Sequence, residues 1–322
     1  MRALVTGGAG FIGSALVDRL LAEGHAVDVV DDLSTGSLAN LAEARAARSG
    51  LRFHQLDVRA PELVELMARR RPEVVFHLAA QASVQRSVKV PLLDAEVNVL
   101  GSLRVLEGAR SAGARKVVFA ASGGTLYAEA EPGELPVGER HPQAPRSPYG
   151  IAKRAVIDYL HAYRELYGLE FTALALANVY GPRQDPDGEA GVVAIFAASL
   201  LRQVPCVIHG DGEQTRDFVF VDDVVDAFVR AATRGGGLVL NVSTGVETSI
   251  NALYRLVAAA VGSQRAPRHG PAREGEVRRS ALDPARAALH LGWRPFTPLA
   301  EGVASVVQAL ARAEGAAQRA AR

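Results

Sequence analysis

Five short apolar runs, separated by longer amphipathic ones, set the tightest limit on how this chain can fold. RALVTG (2–7), AVDVVD (26–31), LRFHQLD (51–57), EVVFHLAA (73–80) and RKVVFAAS (115–122) are nearly continuous in apolar residues and end in small or polar ones. Parallel strands covered on both faces need such runs. Helical periodicity fills the intervals, over 11–23, 37–48, 61–71, 91–112 and 149–168. The alternation predicts an α/β fold, a doubly wound parallel sheet whose ligands bind beyond the carboxyl ends of the strands. After FTALALANVYG (171–181) the texture changes to Pro-, Gly- and Asp-rich loops such as GPRQDPDGEAG (181–191) and GDGEQTRD (210–217). We therefore expect a larger domain over 1–170, with a return around 216–235, and a smaller C-terminal lobe over 171–322.

The first run leads into VTGGAGFIGSALVDRLL, where Gly7, Gly8, Gly10 and Gly13 satisfy both G-x-G-x-x-G and G-x-x-G-x-x-G. Between a strand and a helix these glycines allow a tight turn and close backbone approach to a pyrophosphate, with the helix N-terminus facing the anion. A purely structural turn is the lesser reading. Asp31 ends the second run, where a carboxylate can accept from adenosine ribose hydroxyls. A 2′-phosphate would meet like charge there, which points to NAD rather than NADP. A turn or capping role suits Asp32 better than Asp31. Asp57 closes the third run, where it can accept from the adenine amino group; in isolation that assignment is even odds.

The formal charge of +1 speaks against an electrostatic grip on nucleic acid or an anionic membrane. A lone Cys206 makes neither an internal disulfide nor a thiolate metal site, and the histidines show no metal-ligand spacing. The chain opens on a strand rather than a signal segment, and its helical stretches carry regular charges, so we expect a cytoplasmic protein. SPYGIAKRAVIDYL (147–160) sets Tyr149 and Lys153 four apart, on one helical face. Taken alone, such a pair is usually a solvated surface contact. The chain, however, has only three lysines, Lys89, Lys116 and Lys153, among 36 basic residues. That scarcity suggests a place where a compact charge is needed rather than a planar fork.

In chain order, TGGAGFIGS, DDLSTG (31–36), FHLAAQASVQRSVKVP (76–91), NVLGSL (98–103), SGGTLY (122–127), SPYGIAK (147–153), NVYGPRQ (178–184), RDFVFVDD (216–223) and LGWRP (291–295) cover nearly the whole chain. This set resembles the extended short-chain dehydrogenase/reductases, within them the NAD-dependent epimerase/dehydratase group, and in detail the UDP-glucose 4-epimerases. The resemblance implies a Rossmann-type doubly wound parallel sheet that binds NAD, a smaller C-terminal substrate-binding lobe for a UDP-sugar, and a homodimer paired through a four-helix bundle. It implies NAD contacts from Gly7, Gly10, Phe11, Ile12 and Gly13, from Asp31, Asp32, Ser34, Thr35 and Gly36, and from Asp57 and Val58. Further contacts would come from Leu78, Ala79, Ala80 and Gln81, and from Asn98, Ala121, Tyr149, Lys153 and Val179. The UDP-sugar would meet Ser122, Thr125, Tyr149, Asn178, Val192, Val193, Val207, His209, Arg216, Arg273, Glu276 and Ser280.

The chemistry implied is redox-neutral inversion at C4 through a transient 4-keto sugar. Tyr149 takes the 4-hydroxyl proton, Lys153 and the nicotinamide lower its pKa, and Ser122 or Thr125 orients the hydroxyl, Ser122 being preferred. The chain departs from the pattern at Gly123, where many relatives carry the Ser or Thr. It departs also at Ala175 and Leu176, where an Arg-Tyr is common, and at Ala128, often a glycine. Ser280 stands where relatives restricted to glucose and galactose nucleotides tend to carry a tyrosine, so N-acetylated hexosamines should also fit. Competing readings are a UDP-uronate epimerase, a 4,6-dehydratase or a uronate decarboxylase; Gly123-Gly124 replaces the acidic pair of the dehydratases. From another class comes a non-catalytic NAD-binding regulator, against which the retained Tyr/Lys pair counts.

Overall fold

The computed structural model describes residues 1–46, 50–131, 133–187, 191–272 and 277–320. Seven strands form the central sheet: β1 (Arg2–Thr6), β2 (Ala26–Asp31), β3 (Leu51–Gln55), β4 (Val74–His77), β5 (Lys116–Ser122), β6 (Glu170–Leu176) and β7 (Leu238–Val242). They lie in the order β7-β6-β5-β4-β1-β2-β3, and every pair is parallel. The winding direction reverses between β1 and β4. The loops that follow these two strands therefore leave to opposite sides and open a crevice at the carboxyl ends.

Two apolar layers cover the sheet. On one face, α1 (Phe11–Ala22) and the helices Val192–Leu201, Val221–Ala231, Ile250–Val261 and Leu299–Ala320 bury Leu16, Val17, Phe228, Leu253 and Val306. On the other, the helices Glu62–Arg70, Gly101–Ser111 and Pro148–Tyr167 bury Leu63, Met67, Leu106, Val156 and Leu160. Each such side chain contributes about 1.5–3 kcal/mol on burial. Helix Val221–Ala231 packs on α1. Trp293, fully buried, donates Nε1–H to the Asp223 carbonyl at 2.8 Å and fastens the LGWRP segment to that helix.

Several expectations need correction. The run at 51–57 becomes the edge strand β3, which has one neighbour and stays half exposed rather than covered on both faces. β4 ends at His77, so Leu78–Ala80 form a loop over the crevice. Strands β6 and β7 lie in the sheet, so 170–176 and 238–242 share a layer with the N-terminal strands. The helix read as continuous over 91–112 is divided. Pro91–Ala95 leads into a wide π turn at Glu96–Leu100, and regular helix resumes at Gly101–Ser111. Such turns are frequent at functional positions.

Beyond the sheet, short ladders build the lobe. Asn178–Tyr180 pairs with Phe218–Phe220, Thr215–Arg216 with Thr248–Ser249, and Val207–His209 with Arg268–Gly270. Among the described residues no helix is long and apolar enough to cross a membrane. The apolar residues of the Tyr149 helix divide between core and surface. Val156, Ile157 and Leu160 are core, and Tyr163 is half-buried and donates to Glu107. What stays exposed on these neighbouring helices is Leu92, Leu100, Ile151, Tyr159, Leu166 and Tyr167.

Candidate active site

From Thr6 the chain turns through Gly7 (φ 70°) into α1, whose N-cap Gly10 offers no side-chain cap. A Cβ on Gly7 would stand 2.7 Å from the Ala79 nitrogen, and one on Gly13 would collide with the Gly7 carbonyl. Glycine here lets the loop lie backbone-to-backbone against Leu78 and Ala79, with Phe11 and Ile12 opening the helix toward the crevice. Asp31 is buried at the end of β2; Oδ2 accepts from Ala9 N–H and Oδ1 from Leu33 N–H, each at 2.9 Å. Burial raises its pKa despite these bonds. Its carboxylate thus pins the glycine loop to β2, and Gly36 packs directly on it. Asp32 caps its own turn, accepting from Ser34 N–H and Oγ–H, with Thr35 exposed beside it. Asp57, expected to face a base, is engaged by the Arg59 guanidinium at 2.6 and 2.9 Å, which lowers its pKa. Glycine cradle, helix N-terminus and buried carboxylate together fit a dinucleotide.

Beneath the cradle runs a buried polar chain. Ala79 N–H donates to Thr6 Oγ1 (3.2 Å), which lies 2.7 Å from His77 Nδ1; His77 Nε2 lies 2.8 Å from Ser102 Oγ, and Ser102 donates to the Asn98 carbonyl at 2.6 Å. Because Ser102 commits its only proton to Asn98, it must accept from His77 Nε2–H. Nδ1 is then the acceptor, and Thr6 donates to it. Burial, reinforced by the Lys153 charge, drops the His77 pKa to about 3 and keeps the ring neutral. Asn98 also holds the loop after Ala80: its Oδ1 accepts from Gln81 N–H and its Nδ2 donates to the Gln81 carbonyl, each at 2.9 Å. Val58 packs under Gly101 at the start of the following helix.

The reactive corner forms where β5 meets helix Pro148–Tyr167. Ser147 caps the helix by accepting from Gly150 N–H at 3.1 Å, and Pro148 opens the first turn. A Cβ on Gly150 would stand 2.6 Å from the Thr125 carbonyl, so glycine lets this helix end approach the turn after β5. That approach sets the Ser122 hydroxyl near enough to the Tyr149 phenol to favour its phenolate. Thr125 instead donates weakly to the Ser122 carbonyl within its own turn, at 3.4 Å. Lys153, also buried, donates Nζ–H to the Ala120 carbonyl at 2.9 Å, next to Ala121, and lies 4.7 Å over the Phe119 ring and 5.5 Å over the Tyr149 ring.

Burial pushes Tyr149 up to about 12, against the Ser122 hydrogen bond and with a further upward push from Asp94; it pulls Lys153 down to about 8, against Asp94. The expected lowering of the phenol by Lys153 is therefore not present in the chain alone. The ammonium lies over the ring face, and desolvation of a phenolate dominates.

The remaining candidate residues lie in the loops, short strands and helix beyond the sheet. A cleft of about 330 Å³, open to solvent, is lined by Gly123, Gly124, Ala128, Val277, Arg279 and Ser280. Exposed Asn178 and half-buried Val179 lie on the short strand beside Asp217, whose carbonyl accepts from Asn178 N–H. Arg216 donates to the Thr215 carbonyl at 2.7 Å, and His209 places Nδ1 3.2 Å from the Pro271 carbonyl. Val207 is exposed and Val192 half-buried. Val193, expected to touch substrate, is a core residue, because its turn of helix Val192–Leu201 faces inward. Arg273 and Glu276 lie outside the described residues.

Comparison with known proteins agrees with this geometry. Residues 3–243 match the model of the NAD-dependent epimerase/dehydratase family. A UDP-glucose 4-epimerase of Mycolicibacterium smegmatis is 54% identical over 309 residues, spanning 96% of this chain and 98% of that one. The chain belongs to the NAD-dependent epimerase/dehydratase family. Among solved structures, the Thermotoga maritima UDP-glucose 4-epimerase with UDP-glucose superposes with a TM-score of 0.93 at 44% identity, covering 98% of this chain and 100% of that one. The Thermus thermophilus UDP-glucose 4-epimerase in complex with NAD gives 0.89 at 42% identity, covering 97% and 99%.

Within this family site, the pattern did not single out Thr6, His77, Asp94 or Ser102, which support the reactive corner from below. Their one sequence signal is Asp94, four positions before Asn98 and so on its helical face. The buried ammonium of Lys153 also opposes folding. Its folded pKa of about 8 lies below the ordinary value of 10.5, so its burial cost is full below pH 8 and relieved as pH rises toward 10.5. Lys153→Met should lose activity yet unfold at a higher temperature at pH 7, with a gain of up to ~3 kcal/mol. Thermal melts at pH 7 and pH 10 check this, and the stability gain should shrink at the higher pH.

Proposed function

We propose that this protein is an NAD-dependent UDP-hexose 4-epimerase, interconverting UDP-glucose and UDP-galactose. The observation that carries the reading is the buried ammonium of Lys153, one turn along the helix from Tyr149 and 5.5 Å over its ring. The cradle of Gly7, Gly10 and Gly13 and the buried carboxylate of Asp31 would hold NAD, which when bound accepts hydride from the sugar C4 and returns it. Tyr149 accepts the 4-hydroxyl proton and, once the 4-keto sugar has turned its other face toward the cofactor, returns it to the same oxygen. Ser122 orients the hydroxyl through the same oxygen that contacts Tyr149. Lys153 supplies positive charge and two further N–H donors beyond the one given to Ala120. Residues from 171 onward that leave the sheet form the sugar lobe, with Asn178 and Arg216 at its diphosphate side.

A 4,6-dehydratase reading is disfavoured because Gly123 and Gly124 stand where its acidic pair would be, and a side chain at Gly123 would have to displace Leu282 Cδ1. Incubation of the purified protein with UDP-glucose, followed by separation of UDP-galactose, tests the reaction. Tyr149→Phe should lower kcat by ~10²–10⁴-fold without loss of folding; turnover near wild type would rule out this mechanism.

The cleft wall supports a broader substrate range. Ser280 faces the cleft beside Gly124 and Ala128, all small, so an N-acetyl group at C2 has space. Ser280→Tyr should penalise UDP-GlcNAc and UDP-GalNAc by roughly ten- to a hundred-fold relative to UDP-glucose and UDP-galactose. Equal effects on both pairs, measured as kcat/KM, would remove Ser280 from the sugar pocket.

The exposed Leu92, Leu100, Ile151, Tyr159, Leu166 and Tyr167 on adjoining helices support a homodimer in which two helices from each subunit pack as a four-helix bundle. Light scattering should give a mass twice that of the chain, and Leu100→Glu should shift it toward the monomer. A monomeric mass at all concentrations would discard the bundle.

A further inference from the structure

Asp94 is 1% exposed and sits just before the π turn that carries Asn98. Its Oδ1 accepts from Gln81 Nε2–H at 2.9 Å and from Asn98 Nδ2–H at 2.8 Å, while Oδ2 is buried without a hydrogen-bond partner. Buried polar atoms are nearly always bonded, because leaving one unmade forfeits its hydration. An oxygen kept dry and unpaired beside a reactive corner therefore calls for a reason. The cation acting on it is Lys153, and the short helix of Asp94 packs on the helix of Tyr149 and Lys153.

We propose that Asp94 is a positioning residue of the Tyr149–Lys153 pair: one carboxylate oxygen clamps Asn98 and Gln81, and the other is a fixed negative charge acting on Lys153. This rests on the epimerase reading only in taking Tyr149 as the proton acceptor. The titratable groups facing the pair are few. Tyr149 and Lys153 share a helix, Asp94 comes from the helix before the π turn, and His77 comes from β4 and is neutral. β5 contributes only the Ser122 hydroxyl and the Ala120 carbonyl. Arg86 and Lys89 on the helix Val84–Lys89, which packs against the Tyr149 helix, and Arg154 and Asp158 on that helix are exposed to solvent, where screening weakens their reach.

The sign follows from the charge. A carboxylate here favours the ammonium of Lys153 against burial and disfavours the phenolate of Tyr149, so it holds both titrations at higher pH. Asp94→Asn is isosteric and keeps the Oδ1 acceptor for Gln81 and Asn98. In the holoenzyme it should move the acid and alkaline limbs of the kcat profile together to lower pH. It should also lower the pH at which the Tyr149 phenolate absorbs, read as a difference against Tyr149→Phe, which cancels the other six of the seven tyrosines. Asp94→Glu, which keeps the charge, should titrate close to wild type. Asp94→Ser tests the same loss of charge should the asparagine variant not fold.

Limbs and phenolate titration unmoved by the loss of charge would overturn the proposal, even if kcat falls, because a merely structural residue gives that result. Full activity in Tyr149→Phe would instead refute the epimerase mechanism. The phenolate titration of Asp94→Asn, measured against Tyr149→Phe, would still report whether Asp94 governs that tyrosine.

Discussion

The chain of hydrogen bonds from Ala79 through Thr6, His77 and Ser102 to the Asn98 carbonyl runs in one direction only, and the site is built on it. Thr6 and His77 are register partners on β1 and β4, the strands between which the sheet reverses its winding. Their pairing crosses the floor of the crevice. Each buried donor in the chain has one acceptor, so no member can turn without leaving another unpaired. Asn98 is thereby held at the π turn, and through it the loop at Gln81 that closes over the glycine cradle. The crevice is common to doubly wound sheets, but its floor here is a locked network that fixes His77 in one neutral tautomer.

On that floor sit groups whose charged forms burial penalises. Lys153, Tyr149 and Asp94 are each displaced from their ordinary titration by burial, and each is bonded incompletely or to a neutral partner. A well-packed apolar set would stabilise the same volume better. Such concentrations of unfavourable burial are typical of reacting centres, where perturbed protonation serves the chemistry. The two apolar layers on either side of the sheet supply the stability that offsets them.

The cleft wall follows a different logic, one of size. Gly123 is pressed against Leu282, while Gly124, Ala128 and Ser280 leave space beside it. Asp217 braces the wall from behind, accepting from Thr244, Gly245 and Leu282 with a single buried carboxylate.

Much of this was legible in the residues. The apolar runs of β1, β2, β4 and β5, the glycines that open α1, and the Tyr149–Lys153 spacing all express preferences that act within a few residues: side-chain period, positive φ, and one helical turn. Where partners are distant in sequence, the pattern was silent or misleading. It missed that β3 lies at an edge, that Val193 and Val156 face the core, and that 91–112 contains a π turn. It gave no sign that Arg59 engages Asp57 or that burial raises the Tyr149 phenol in the chain alone. The sequence by itself determined the sheet and the cradle and set Tyr149 and Lys153 on one helical face, because local sterics and periodicity suffice for those. Only the tertiary structure decided that Val193 faces the core and that Asp94 and Lys153, far apart in sequence, influence each other in a buried corner. Those outcomes depend on desolvation and on contacts between distant segments, which exist only once the chain has closed on itself.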